Sequence, residues 1–346
     1  MTLEDFELIE KLGKGSFGSV FLVKKKDDPT GRFYAMKILE KDKVFQQNLL
    51  RYAKTEKNVL MLASHPFIVG LHWAFQSPSR LYLIMQYCPG GDMGMALAKD
   101  RRFTIETVTI YAAEIVLALE YLHNHQIIFR DLKPDNVIFD EDGHALLTDF
   151  GLSKQGIGTH DQSSSFCGSV AYLAPEMLRR SGHARSIDWY LLGVLIYEML
   201  VGVPPYFNTD KSKLFENIQQ GPLKIPHTMT PAARTLILSL LNRNPTKRLG
   251  SGPRDAEEIK EHDFFAGINW EEIQNRKGNV KKPKPRMVLS NPKSIKTFLE
   301  EEKESLSRFA NFEKTNPKMF KDEAHPERIA GWSFVASTPD DLLTNK

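Results

Sequence analysis

Short apolar runs broken by turn residues fill about the first eighty positions of the chain. Phe6 to Leu12, Ser19 to Lys24 and Phe33 to Leu39 are β-rich and predict strands. They are punctuated by Gly13, Gly15, Gly18 and an Asp28-Pro29-Thr30-Gly31 turn. Asn48 to Leu62 predicts a helix, Leu81 to Tyr87 another strand, and Pro89-Gly90-Gly91 then breaks the chain. Beyond that break the texture turns helical. Val108, Ala112, Ile115, Leu119 and Leu122 step by fours and threes along one face of a long amphipathic helix, and helical stretches recur to Phe265. Trp189 to Leu200 reads as a buried helix. The pattern predicts an α+β, bilobal architecture. A β-rich N-lobe covers 6–87 and a helical C-lobe 88–265, hinged near Gln86 to Gly91.

After Phe265 the composition shifts, and 266–346 reads as a tail. Asn279 to Pro292 is rich in Lys and Pro and predicts an extended segment. Residues 298–304 read as a solvated acidic patch. The aromatics Phe309, Phe312, Phe320, Trp332 and Phe334 follow without helical or strand period, so the tail is expected to wrap over a folded body.

Composition narrows the function classes. Charged residues make up 26% of the chain but leave a formal charge of only +3, which argues against a general nucleic-acid binder. Two cysteines, Cys88 and Cys167, imply no disulfide framework and a reducing compartment. Glu4, Asp5, Glu7 and Glu10 would interrupt a secretory signal, Thr2 stands where myristoylation needs glycine, and Trp189 to Leu200 is too short to span a bilayer. A cytoplasmic protein, with the nucleus also open to it, is the expectation.

Gly13-Lys14-Gly15-Ser16-Phe17-Gly18-Ser19-Val20 spells G-x-G-x-x-G-x-V. A dinucleotide fold would set such glycines between strand and helix; here β-like sequence lies on both sides, so they sit in a hairpin. That hairpin is either an ordinary turn or a flap whose amides close over phosphates. Lys37 lies inside the apolar strand Tyr34-Ala35-Met36-Lys37-Ile38, where a charge needs a partner, and Glu56 on the following helix can supply it. The densest signal is Phe129-Arg130-Asp131-Leu132-Lys133-Pro134-Asp135-Asn136, then Asp149-Phe150-Gly151 and Ala174-Pro175-Glu176. Asp131 can orient an attacking hydroxyl and accept its proton, and Lys133 can neutralise a transferred phosphoryl group. Asn136 and Asp149 can hold Mg²⁺ through hard oxygen ligands, with Mn²⁺ as a substitute.

This ordered set resembles the eukaryotic protein kinases from about Phe6 to Phe265. Finer features resemble the AGC group: Phe166-Cys167-Gly168, Tyr172-Leu173-Ala174-Pro175-Glu176, His65-Pro66-Phe67, and Ile329-Ala330-Gly331-Trp332-Ser333-Phe334 near the end. The resemblance implies an ATP-dependent Ser/Thr protein kinase, Lys133 favouring Ser/Thr over Tyr. ATP would be lined by Leu12, Gly13, Gly15, Ser16, Phe17, Gly18, Val20, Ala35, Lys37, Glu56, Met85, Gln86, Cys88 and Asp92. Asp188 would brace the catalytic loop and Arg248 would pair with Glu176. Phe129 would join an apolar stack with Leu60, Leu71 and Phe150. Asp92, Asp135 and Glu216 match places where basophilic relatives bind substrate arginines, so protein substrates with Arg before the target residue are expected.

Ser165, in a polar Ser163-Ser164-Ser165 run, is the expected activating phosphosite for an upstream kinase, its phosphate drawing in Arg130 and Lys154. Ser333 and Thr315 are further tail candidates, and Trp332 and Phe334 are expected to dock on the small lobe. Departures from the group's pattern are Phe129 in place of Tyr or His, Gly168-Ser169-Val170-Ala171 in place of Gly-Thr-Pro-Glu, and Ile329 in place of an aromatic. A monomer is expected. The competing readings are a pseudokinase scaffold, which usually lacks one of the Lys37, Asp131, Asn136 and Asp149 equivalents, and a small-molecule kinase.

Overall fold

The computed structural model of the protein describes residues 1–14, 18–155, 170–179, 184–277, 292–316 and 329–336. The chain divides into two compact units. One comprises Met1–Ser64, Val69–Cys88 and the described residues of Arg286–Asn345; the other comprises His65–Ile68 and those of Pro89–Pro285.

In the first unit the strand signals become β1 (Phe6–Lys14), β2 (Gly18–Lys25), β3 (Phe33–Glu40), β4 (Leu71–Gln76) and β5 (Arg80–Gln86). With β10 (Phe334–Val335) from the tail they form one six-stranded sheet in the order β1-β2-β3-β5-β4-β10, antiparallel throughout. Alternation gives the sheet two faces. Phe21, Tyr34, Met36, Ile38, Tyr82 and Ile84 share one face with Phe6, Trp73 and Phe75 and make the core. Val20, Ala35, Lys37, Leu83 and Met85 share the other, since Val20 lies opposite Lys37, Lys37 opposite Leu83, and Ala35 opposite Met85. The helix expected from Asn48 to Leu62 is α2 (Leu50–Leu62); a further short helix, α1 (Lys41–Gln46), precedes it, the two separated where Asn48 takes a positive φ of 54°.

The tail differs from the sequence expectation in carrying a helix. The acidic stretch at 298–304 belongs to a 24-residue helix, α11 (Pro292–Thr315). Its Phe298, Ser305 and Phe309 recur at helical spacing and are buried, with Phe298 in the sheet's core 4.6 Å from Phe21. The acids between them lie along the same helix and hid a stripe whose buried members, among the described residues, are two aromatics and a serine. Further on, Trp332 is 1% exposed and Ile329, in the place of an aromatic, is equally buried, while Phe334 is half-buried in β10. β10 adds to the edge of β4, Phe334 opposite Ala74.

The second unit is built on helices α3 (Met93–Asp100), α4 (Ile105–Asn124), α5 (Pro175–Arg179), α6 (Ser186–Val201), α7 (Lys211–Gln220), α8 (Pro231–Leu240), α9 (Ala256–Lys260) and α10 (Trp270–Gln274). The predicted stripe of α4 is buried throughout, from Val108 to Leu122, and α6 is buried on all sides save near its end. Two short antiparallel pairs, β6 (Ile127–Ile128) with β9 (Lys154–Gln155) and β7 (Val137–Phe139) with β8 (Ala145–Leu147), carry the loops that hold the charged motifs. Among the described residues no helix is long and apolar enough to cross a membrane.

Candidate active site

The first unit holds Lys37, whose Nζ lies 2.5 Å from Glu56 Oε1. The Glu56 side chain is 5% exposed and that of Lys37 21%, so the ammonium stays reachable while its partner is enclosed. Leu12 and Gly13 lie on β1, Gly18 and Val20 on β2, Ala35 and Lys37 on β3, and Met85 and Gln86 on β5, with Cys88 buried just beyond. Gly18 is glycine for a packing reason: a Cβ there would collide with the carbonyl oxygen of Ile38. Gly15, Ser16 and Phe17 lie outside the described residues.

In the second unit Lys133 Nζ (2.8 Å) and Asn136 Nδ2 (2.7 Å) both donate to Asp131 Oδ2. Asn136 Nδ2 also donates to the Asp131 carbonyl (2.8 Å), so the amide's donors are engaged and its oxygen is left to face a ligand. Burial pushes the Asp131 carboxyl up, the nearby Asp149 charge adding to it against the opposing pull of Lys133 and Asn136. An amide oxygen and a carboxylate, set close to a second carboxylate, form a hard donor set suited to a divalent cation such as Mg²⁺. Thr148 N donates to the Asn136 carbonyl (3.0 Å), tying together the two ends of the β7–β8 hairpin from which Asn136 and Asp149 project.

A buried polar scaffold holds this loop. Asp188 is wholly enclosed and accepts the backbone N–H groups of Phe129 (2.9 Å) and Arg130 (2.7 Å). Arg130 is thereby held at a positive φ of 67°, and Asp149 stands at 62°. His123 lies between Asp188 (2.9 Å) and Asp255 (2.9 Å), and Asp255 also accepts from Trp189 Nε1 (2.7 Å). Burial alone would lower the His123 pKa, but the bonds and charges of the two carboxylates outweigh it and push it up to about 9. Arg248 makes a two-pronged, fully buried pair with Glu176, at 2.6 and 3.0 Å. Phe129 and Phe150 are both buried and pack edge-on at 5.2 Å; Leu60 and Leu71 are buried in the first unit.

Asp92 caps α3, accepting the Met95 N–H at 2.7 Å. Asp135 is exposed on the turn after Lys133. Glu216 is exposed on α7 and accepts from Gln220 at 3.3 Å; among the described residues no bond joins it to Asp92 or Asp135. The sequence reading missed Glu198 on α6. Its Oε2 is shut away from solvent without a hydrogen-bond partner. Burial, with the Asp135 charge added, pushes its pKa up to about 7. A single charge within the apolar stretch Trp189 to Leu200 was the available signal.

Ser165 lies outside the described residues, and so does the side chain of Lys154. Arg130, expected to await a phosphate, donates through Nε to the Leu152 carbonyl (2.8 Å) and, more weakly, through Nη2 to that of Ser153 (3.4 Å). Ser333 is exposed, and the Thr315 hydroxyl donates to the Asn311 (3.0 Å) and Phe312 (3.1 Å) carbonyls at the end of α11. Around Ser333 the docked tail is held by other groups. Trp332 Nε1 donates to the Phe75 carbonyl (2.9 Å), and Lys57 donates to that of Gly331. The Gln76 amide both accepts from Ile329 N (2.8 Å) and donates to its carbonyl (3.0 Å).

Comparison with known proteins agrees with this geometry. The protein kinase domain pattern matches residues 6–265. The RAC-beta serine/threonine-protein kinase of Homo sapiens is 44% identical over 277 residues, covering 80% of this chain and 57% of that protein. Protein kinase 2 of Dictyostelium discoideum is 45% identical over 284 residues, 82% of this chain and 58% of its own length. Ribosomal protein S6 kinase alpha-3 of Homo sapiens is 42% identical over 337 residues, 97% of this chain and 44% of its own. The chain thus spans about half the length of these curated relatives. Kinases of this family use ATP and a divalent metal, generally Mg²⁺. With its Lys37–Glu56 pair, its Asp131 loop and its Asp149-Phe150-Gly151 turn, the chain belongs to the protein kinase family and, within it, to the AGC group.

Proposed function

We propose that the protein transfers the terminal phosphoryl group of ATP to serine or threonine hydroxyls of protein substrates that carry arginine before the target residue. The observation that carries the transfer is the single acceptor oxygen left on Asp131. Its Oδ2 is occupied by Lys133 and Asn136, so Oδ1 is the atom that takes the proton of the attacking hydroxyl. The new O–P bond then forms as the bond to the β-phosphate oxygen breaks, and ADP leaves. Lys133 neutralises charge on the moving phosphoryl group, and Lys37, held by Glu56, neutralises the phosphates that stay behind. A divalent metal held by Asn136 Oδ1 and Asp149 would supply further neutralisation of the phosphate oxygens. Leu12, Val20, Ala35 and Met85 would flank the adenine, with Gln86 and Cys88 beside it, and Gly13 to Gly18 would close over the phosphates.

The arginine preference rests on Glu198. Glu198 and the exposed Asp135 raise one another's negative potential, and a guanidinium fork answers neighbouring carboxylates better than an ammonium does. Asp92 is a further acid on the same unit. Phosphorylation of a degenerate peptide library tests the reading: enrichment of Arg N-terminal to the phosphorylated residue is expected, and acidic or proline-directed selection contradicts it.

We also propose that the docked tail supports activity. Gly331 is bonded to Lys57, the residue next to Glu56, so docking bears directly on the helix that holds Lys37. Phosphorylation of Ser165 by an upstream kinase, and of Ser333 and Thr315 in the tail, remains part of the proposal. So does a monomeric, cytoplasmic enzyme to which the nucleus is also open.

A further inference from the structure

The segment that follows the kinase domain is tied into the hairpin that ends at the two metal-holding residues. Residues 266–277 leave the domain through α10, where Trp270 packs on Phe265 (5.3 Å) beneath the Lys260 ammonium (5.6 Å). The next turn puts Arg276 in the left-handed region at φ 59°, its N–H donating to the Ile273 carbonyl at 2.8 Å. An arginine gains nothing from that backbone on its own; the conformation costs on the order of 1–2 kcal/mol for a residue with a Cβ. Its guanidinium reaches Asp140, 136 positions earlier, in an ion pair whose acid is 4% exposed.

Asp140 is the organiser of the β7–β8 turn. Its Oδ1 accepts the backbone N–H groups of Asp142 (3.0 Å), Gly143 (2.9 Å) and His144 (3.0 Å), which leaves Oδ2 for Arg276. The turn is clamped again from α4, where Glu114 accepts from Ala145 N (2.8 Å) and bonds His144 Nδ1 (2.6 Å). Glu114 is buried and feels the Arg276 charge as well, so one guanidinium serves two enclosed acids. From this turn β7 runs back to Asn136 and β8 runs forward to Asp149. Each strand is three residues long, so the turn's placement sets both ends.

We propose that Arg276 is a positioning residue for metal binding: by fixing Asp140 it sets the register of the hairpin that presents Asn136 and Asp149. This rests on the reading of those two residues as the metal holders. The test is a titration of Mn²⁺, with a non-hydrolysable ATP analogue present, followed by electron paramagnetic resonance on the full chain. Arg276→Gln should weaken Mn²⁺ binding by about tenfold, the scale of outer-sphere partners at metal sites. Arg276→Lys, which keeps the charge but not the fork, should fall in between and decides the matter if the Gln variant does not fold. In turnover, the Mg²⁺ concentration for half-maximal rate should rise in parallel while the peptide KM stays put. Asp149→Asn is the control. If it abolishes Mn²⁺ binding while both Arg276 variants bind within about twofold of wild type, a change well below that scale, the proposal is overturned. If Asp149→Asn binds Mn²⁺ as wild type does, the metal assignment itself is overturned.

Discussion

Replacing Trp332 by alanine should release the tail from the sheet edge, and the structure sets the scale. The indole is 1% exposed, and its Nε1 donates to the Phe75 carbonyl at 2.9 Å. Truncating a buried aromatic to alanine costs about 3–5 kcal/mol. That penalty falls on the docking equilibrium of a segment otherwise held by the two-residue β10, the Gln76–Ile329 amide pair and the Lys57–Gly331 bond. At about 1.4 kcal/mol per tenfold, the docked population relative to the open one falls by roughly two to three orders of magnitude. Hydrogen exchange at Ala336, whose N–H donates to the His72 carbonyl at 2.9 Å, reads this directly. Its protection should fall by a comparable factor in Trp332→Ala. Ser333→Ala should leave it nearly unchanged, because none of the bonds named above uses the Ser333 hydroxyl. Protection within about tenfold of wild type in Trp332→Ala would refute the claim that the indole anchors the tail. A fall in Ser333→Ala as large as in Trp332→Ala would refute the division of labour.

Two other outcomes follow from ionisation. Glu198 has its pKa raised to about 7, so it is neutral below that pH and charged above it. The KM for an arginine-containing peptide should therefore fall as pH rises through 7, and Glu198→Gln should abolish that dependence; an unchanged profile in the variant would rule Glu198 out. His123 is raised to about 9 from an ordinary 6.5, so its contribution to stability is fully present below 6.5 and is lost as pH rises through 9. The melting-temperature gap between wild type and His123→Gln should shrink across that interval, and a gap that stays constant or widens would contradict the His123–Asp188–Asp255 arrangement.

Much of the chemistry was legible because it is local in sequence. Asp131, Lys133 and Asn136 stand within six positions, and their hydrogen bonds are those that this spacing allows. The stripe of α4 was equally plain, its apolar residues all falling on one helical face. β4 escaped because Leu71 to Phe75 are buried on both faces of the strand, which removes the alternation that marks a half-exposed one. α11 escaped because its buried stripe includes Ser305 and is interleaved with acids. Glu198 and the Arg276–Asp140 pair are long-range arrangements, and periodicity carries no information about partners separated by tens of residues. Asp255 is a similar case: its tie to His123 depends on where α4 and α9 meet, which no motif encodes.

The most direct test of the account is transfer of the terminal phosphate of ATP to an arginine-containing Ser/Thr peptide by the wild-type chain and by Asp131→Asn. Wild type should label the peptide on serine or threonine. The variant, which keeps the shape of the side chain but not its basicity, should fall by a factor of about 10²–10⁴ while melting like wild type. Equal labelling by the two proteins, or no labelling by wild type with Mg²⁺ and ATP in excess and the activation segment phosphorylated, would contradict it.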